Sequence, residues 1–227
     1  MKVLLLNILL VSFSATAQKE DLNKLNTKLI AVFNNNHGLH LDYTLTVKGK
    51  GEEIDSMNMS FYKRSTDVFK MQMGNAQTLL RDKNKMLKVD HVNKLIAFEI
   101  DTTTATNDFA ILAQLMVLAD SARTITFLKE EDLLVYDLLF KPGSTYKHIQ
   151  LKFSSKTELP SSLYAEYYPD KEQPYQSLSV NYKLWDLNWK DKNNELNMDQ
   201  FVEKANTGYQ PVAALKNYKL LDPGKVR

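Results

Sequence analysis

From Leu39 onward, apolar and polar side chains alternate. Leu39, Leu41, Tyr43, Leu45 and Val47 point one way, and His40, Asp42, Thr44 and Thr46 the other. A two-residue period of this kind predicts a strand with one wet face. Lys48 to Glu53, with Gly49 and Gly51, reads as the turn that follows. The rule repeats with a different filling, Met57, Met59 and Phe61 on one face and then Phe69, Met71 and Met73. Shorter strands are predicted over Gln77–Arg81, Lys85–Val89 and Leu95–Ile100, with turns at Asp82-Lys83-Asn84 and His91-Val92-Asn93. Such short spacings favour antiparallel neighbours. A second run follows at Thr124–Lys129, Leu133–Phe140, Lys147–Phe153, Leu163–Tyr168 and Ser177–Trp189. In the last of these the apolar parity changes after Leu184, so a bulge is expected there.

Helical spacing is confined to a few segments. Leu22, Leu25, Leu29, Val32 and Phe33 predict an amphipathic helix between Asp21 and Asn34, stopped by Asn34-Asn35-Asn36-His37-Gly38. Phe109 to Ala119 reads FAILAQLMVLA, with Gln114 its one polar side chain and Asn107 or Asp108 as its N-cap. A helix apolar on every side cannot lie on a surface, and this one is far shorter than the roughly 20 residues a bilayer requires. It is either a buried core helix or a lid over an apolar cavity. Asp199–Ala205 reads as a short helix, and the tail beyond Gly208 as irregular. Strands and helices do not alternate, which excludes a layered α/β fold. The expected architecture is α+β: a strongly curved antiparallel sheet, an open or half β-barrel, with helices packed as a lid on its concave face.

The ends and the composition add a compartment. Lys2, the apolar run Val3–Phe13 and Ala15-Thr16-Ala17 have the pattern of a secretory signal peptide over residues 1–17, with the mature chain starting at Gln18. Residues 18–227 are expected to form one domain, 185–227 being a C-terminal extension. The chain has no cysteine, so an exported form must be held by its core alone, and no lipid can be attached to an N-terminal cysteine. A soluble rather than integral membrane protein is expected. The formal charge of +2 gives no reason to expect nucleic acid as a partner.

The order of motifs resembles the periplasmic lipoprotein carriers of Gram-negative bacteria, the LolA-like family. Met59–Met71 (MSFYKRSTDVFKM) is similar to the family's apolar strand, Lys-Arg pair, turn and aromatic-bearing strand. Leu79–Asp90 (LLRDKNKMLKVD) resembles its strand and Asp-led turn, Asn107–Met116 (NDFAILAQLM) its lid helix, and Tyr146–Tyr168 its return hairpin. The likeness runs from about Leu22 to Leu184. Ser65 stands where the family commonly has proline, Met86–His91 lacks its aromatic pair and proline, and Trp185–Arg227 has no counterpart. The resemblance implies the half-barrel fold, a periplasmic location, and lipidated protein or lipid acyl chains as cargo. An inner-membrane donor and an outer-membrane acceptor follow as partners.

Leu45, Met59, Phe61, Phe69, Met71 and Met73 are the expected sheet-side lining of a cavity, and Ile111, Leu115 and Met116 the helix-side lining. Unbranched thioethers adapt to irregular partners, as flexible acyl chains require, though a Met stripe also serves as gap filler in an ordinary core. Arg64 matches the family's arginine that bonds the lid, which makes it the expected gate; a solvated turn arginine is the plain alternative. The four histidines have no partners at ligand spacing, so no metal or other cofactor is expected. No G-x-S-x-G, phosphate-cradling loop or paired acid outside a turn is present, and the chain is not expected to be an enzyme. The leading reading is a carrier shielding acyl chains for transfer towards the outer membrane. The rival is a non-catalytic adaptor of an envelope complex, with Trp185, Trp189, Tyr209 and Tyr218 exposed for a protein interface.

Overall fold

The computed structural model describes residues 2–35, 37–49, 52–100, 118–169, 175–206 and 208–221, with side chains from Gln18 onward except at 52–54 and 100. Helix α1 runs over Lys2–Asn34, so the expected amphipathic helix is the second half of one longer helix. Among the described residues no helix is long and apolar enough to cross a membrane. The strands are β1 (Leu39–Gly49), β2 (Glu52–Ser65), β3 (Val68–Met73), β4 (Gln77–Asp82), β5 (Lys85–Asp90) and β6 (Leu95–Ile100), then β7 (Thr124–Glu130), β8 (Leu133–Leu139), β9 (Tyr146–Ser154), β10 (Pro160–Tyr167) and β11 (Ser177–Asp186). Three short strands close the described chain: β12 (Val202–Ala205), β13 (Gly208–Pro211) and β14 (Lys219–Leu221).

Twelve strands share one sheet in the order β14-β6-β5-β4-β3-β2-β1-β11-β10-β9-β8-β7, while β12 and β13 form a separate hairpin. The two ends of this order do not pair, so the sheet is open. Its hairpins are antiparallel, as short turns dictate, but β14 joins β6 in parallel after a long connection. The α+β class stands, and the wholly antiparallel expectation is corrected at that edge. The expected helix at Asp199–Ala205 is also corrected. Met198–Gln200 is one 3-10 turn capped by the Asn197 side chain, and the chain then extends into β12. Beyond Gly208 the chain is not irregular but supplies β13 and β14. Strand β11 ends at Asp186, short of the expected Trp189.

The chain forms two compact units, each assembled from separated stretches: one from 1–32, 44–56 and 109–183, the other from 33–43, 57–108 and 184–227. In the first unit, Leu22 and Leu25 of α1 pack with Ile125, Tyr136, Leu138, Ile149, Leu151, Phe153, Leu163 and Ala165. Register explains why one face is apolar: Ile125 lies opposite Leu138, Leu138 opposite Ile149, and Ile149 opposite Ala165. Directly opposed residues share a face, so these form a continuous apolar strip. The reverse face carries Asp137, His148 and Gln150, with both His148 Nε2 and Gln150 Nε2 against Asp137 Oδ1 at 2.8 and 3.1 Å.

In the second unit both faces of the sheet are used. Leu80, Leu87, Val89, Ile96 and Phe98 form one buried cluster with Met198 and Val202, flanked by Phe201, Tyr209, Leu215, Tyr218 and Leu220. The C-terminal segment is therefore the cover of this face. Lys70, on the same face, holds Glu195 at 2.7 Å, and His91 Nδ1 lies 3.1 Å from the Tyr218 hydroxyl.

Candidate functional site

The opposite face of the second unit carries the expected methionine stripe. Met59 stands directly across from Met73, and Phe61 from Met71, in the β2–β3 ladder. Met71 in turn faces Leu79, and Lys63 faces Phe69. Because opposed residues share a face, Met59, Phe61, Phe69, Met71, Met73 and Leu79 are one patch, turned away from the C-terminal segment. Met59, Phe61 and Phe69 are buried, whereas Met71 and Met73 are half-buried. The three-ring stack of Phe33, Phe61 and Phe69, with centroids 6.4 and 5.8 Å apart, seats the end of α1 on this patch. Leu45, also half-buried, belongs to the first unit. Ile111, Leu115 and Met116, the expected helix-side lining, lie outside the described residues, as does most of the expected lid helix, Leu118–Ser121 being its described helical end.

Lys63 was not singled out by sequence reasoning, yet it is the residue that grips α1. Its side chain is 2% exposed, and its ammonium donates to the carbonyls of Phe33 and Asn35, the latter at 2.7 Å. These carbonyls fall where a helix runs out of its own N–H partners, and a cation at that end also meets the negative end of the helix dipole. Burial lowers the Lys63 pKa below the usual lysine range. The signal in the sequence was parity: Lys63 continues the inward-facing series Met59, Phe61.

Arg64, the expected gate, falls at the β2 irregularity between Lys63 and Ser65 and is exposed. It lines a polar recess of about 330 Å³ together with Asp82, Lys85, Asp191, Asn197 and Asp199, with Phe98 and Tyr209 also on its wall. This recess is on the C-terminal side of the sheet. The aromatics expected as a free interface are instead engaged within the chain. Trp185 meets Phe33 at 6.1 Å, Trp189 meets Tyr62 at 5.3 Å, Tyr209 meets Phe98 at 4.5 Å, and Tyr218 meets His91. That expectation is corrected, for the physical reason that a sheet apolar on both faces needs a second cover.

In the first unit the buried stripe of α1 contains Leu22, Leu25, Leu29 and also Asn26. Exposed ion pairs tie this part of the helix at its sides, Lys19 to Asp120 at 2.7 Å and Lys28 to Glu158. Tyr136 beneath it is buried, which pushes its phenol up to about 12, helped by the charges of Asp21 and Glu158. Among the described residues no group of three or more acidic or histidine side chains is placed to hold a metal. His40 is occupied by stacking on Tyr62 at 4.3 Å and by Asp42 at 3.0 Å.

No protein-family model and no curated protein matches the chain. Among solved structures it is similar to a chain in the complex structure of Pseudomonas aeruginosa MucA/MucB, at 12% identity and a TM-score of 0.48, covering 85% of this chain and 63% of that one. It thus spans less than two thirds of that chain's length. It is also similar to an outer membrane lipoprotein-sorting protein domain from Vibrio parahaemolyticus (10% identity, TM-score 0.34, covering 78% and 96%). A LolA superfamily protein from Nitrosomonas europaea is a further likeness (8%, 0.36, covering 79% and 98%). Structures of the expected LolA-like kind are therefore among those it resembles, at identities and TM-scores that leave function to its own residues.

Proposed function

We propose that this protein is an exported, non-catalytic carrier that shields the acyl chains of a lipid or lipid-modified protein on an apolar sheet face and passes them towards the outer membrane. The observation that carries this reading is the in-register ladder of Met59, Phe61, Phe69, Met71 and Met73, whose outer members stay half-buried. Flexible thioethers give such a patch a surface that conforms to a chain of no fixed shape. A sixteen-carbon chain gains on the order of 12 kcal/mol gross at about 0.8 kcal/mol per methylene. Association costs about 4–15 kcal/mol; at the low end of that range about 8 kcal/mol remains, which is micromolar binding and suits extraction followed by release. An inner-membrane donor and an outer-membrane acceptor are the partners this reading requires.

The test is direct binding of a fluorescent fatty acid to delipidated protein. Saturable micromolar uptake is expected, and its complete absence removes the carrier reading. One observation favours the adaptor instead. Strand β7 is an edge of the sheet, and Phe127 and Leu128 on it are 40% and 55% exposed. Among the described residues no strand pairs with its outer side, and an edge of this length is a place where an extended segment of another protein can add a strand. Loss of a defined envelope partner on Thr126→Pro, with no acyl binding by the wild type, would establish that reading.

A further inference from the structure

The recess of about 330 Å³ that Arg64 lines takes no part in the methionine patch, which lies on the other face of the sheet. Its volume is at the lower end of the range for small-molecule sites. Leu196, Met198 and Val202 are buried on its wall, and charged side chains stand around them exposed or half-buried. These charges divide by what they already hold. Asp191 is committed to the chain, its two carboxylate oxygens accepting from the backbone N–H groups of Glu195 and Leu196. Asp82 and Lys85 stand directly opposite each other in the β4–β5 hairpin, neighbours of opposite sign on one face. That leaves Arg64, at the end of β2, and Asp199, in the 3-10 turn Met198–Gln200. Among the described residues neither of these two side chains has a hydrogen-bond or ion-pair partner, although both line the same hollow.

We propose that this recess binds a small zwitterion of the amino-acid type, a free amino acid or a dipeptide, with its carboxylate on Arg64 and its ammonium on Asp199. A ligand of one sign fits poorly. An anion drawn to Arg64 and Lys85 meets Asp82 and Asp199, and a cation drawn to the carboxylates meets the two bases. A zwitterion completes both of the half-pairs that the chain leaves open. The guanidinium fork matches a carboxylate with two parallel hydrogen bonds, and an ammonium supplies three donors to an aspartate that accepts only. This inference stands apart from the carrier reading, since it uses the opposite face of the sheet and none of the methionines of the patch.

The experiment is titration calorimetry on the full chain with alanine, alanyl-alanine and two blocked forms, N-acetyl-alanyl-alanine and alanyl-alaninamide. Saturable binding of alanine or alanyl-alanine is expected, and the tighter of the two gives the length of the ligand. Each blocked form should bind about tenfold more weakly than alanyl-alanine, the worth of one charge-assisted hydrogen bond. Arg64→Gln should bring the ratio between alanyl-alanine and its amide to about one and keep the preference over the N-acetyl form. Asp199→Asn should do the converse. Both side chains are exposed, and thermal melts confirm that the variants are folded. Absence of binding by both alanine and alanyl-alanine, blocked forms that bind as well as the free dipeptide, or ratios unchanged in the two variants overturns the proposal. The fatty-acid titration reads the other face, so the two readings fail independently.

Discussion

The ammonium of Lys63, buried in β2, lies 2.7 Å from the main-chain oxygen of Asn35 and also holds that of Phe33. One side chain thus answers two carbonyls at the end of α1 while its stem runs beside Phe61 and Phe69. Replacing it with methionine keeps the stem and removes the donors. Lys63→Met is expected to destabilise by about 1–3 kcal/mol, the range for leaving a buried polar group unanswered. A urea midpoint indistinguishable from wild type would count against the grip.

Gly38 marks the close approach of two segments in the same unit. A Cβ built there falls inside the van der Waals reach of the Trp189 carbonyl oxygen, which is backbone and cannot swing aside. Gly38→Ala should therefore cost about 2 kcal/mol or more, typical of overpacking against an unyielding neighbour. Denaturant unfolding checks it, and the same melt should report lost near-ultraviolet signal from Trp189, which packs on Tyr62 and His40.

The strands of the sheet were legible because their pattern is local. Leu39 to Val47 alternate cleanly, and β3, β4, β5 and β6 start within a residue of their expected places. What alternation concealed was a second apolar parity. Leu79 and Leu80 are adjacent, as are Met86 and Leu87, so β4 and β5 each put a large side chain on both faces. That doubling implies a cover on each side, and the C-terminal segment is one of them. Its strands are three or four residues long, too short for a period to declare itself, so Phe201 and Val202 read as helix. Val202–Ala205 is extended, with Val202 buried against the sheet face, a tertiary cause absent from any local window. The site was half legible in the same way. Met59 to Met73 follow from parity, whereas Lys63 and Asn26 are polar residues on apolar stripes, visible only if the stripe position is counted before the side chain is judged.

Within the methionine patch, stability and binding should separate. Phe61 is buried in the three-ring stack, so Phe61→Ala is expected to cost about 3–5 kcal/mol through the void it leaves. Met73 is half-buried at the strand end and faces Met59 and Gln77. Met73→Gln should change stability by less than about 1 kcal/mol but weaken fatty-acid binding at least fivefold, since a desolvated amide then meets hydrocarbon. Unaltered affinity in Met73→Gln would remove this patch from the acyl-binding surface.

Alkaline unfolding should report on Tyr136. Its phenol is raised from 10.0 to about 12, because burial disfavours the phenolate, with Asp21 and Glu158 adding like charge. A group whose folded pKa lies above its unfolded value contributes stability that is complete below the unfolded pKa. Here that contribution is intact up to about pH 10 and is lost as pH climbs through 10 to about 12, where the unfolded chain has released a proton that the fold still holds. Tyr43, Tyr62 and Tyr167 are raised in the same direction by their own burial and steepen the decline. Tyr136→Phe keeps the ring contacts with Phe127 and Phe153 and removes the ionisable group. The variant should lose less stability than wild type between pH 10 and 12 in urea titrations. In wild type, absorbance at 295 nm should show buried tyrosines ionising late, together with unfolding, and the variant should show one fewer. A parallel fall in both proteins would mean that the burial of Tyr136 does not govern the alkaline limit.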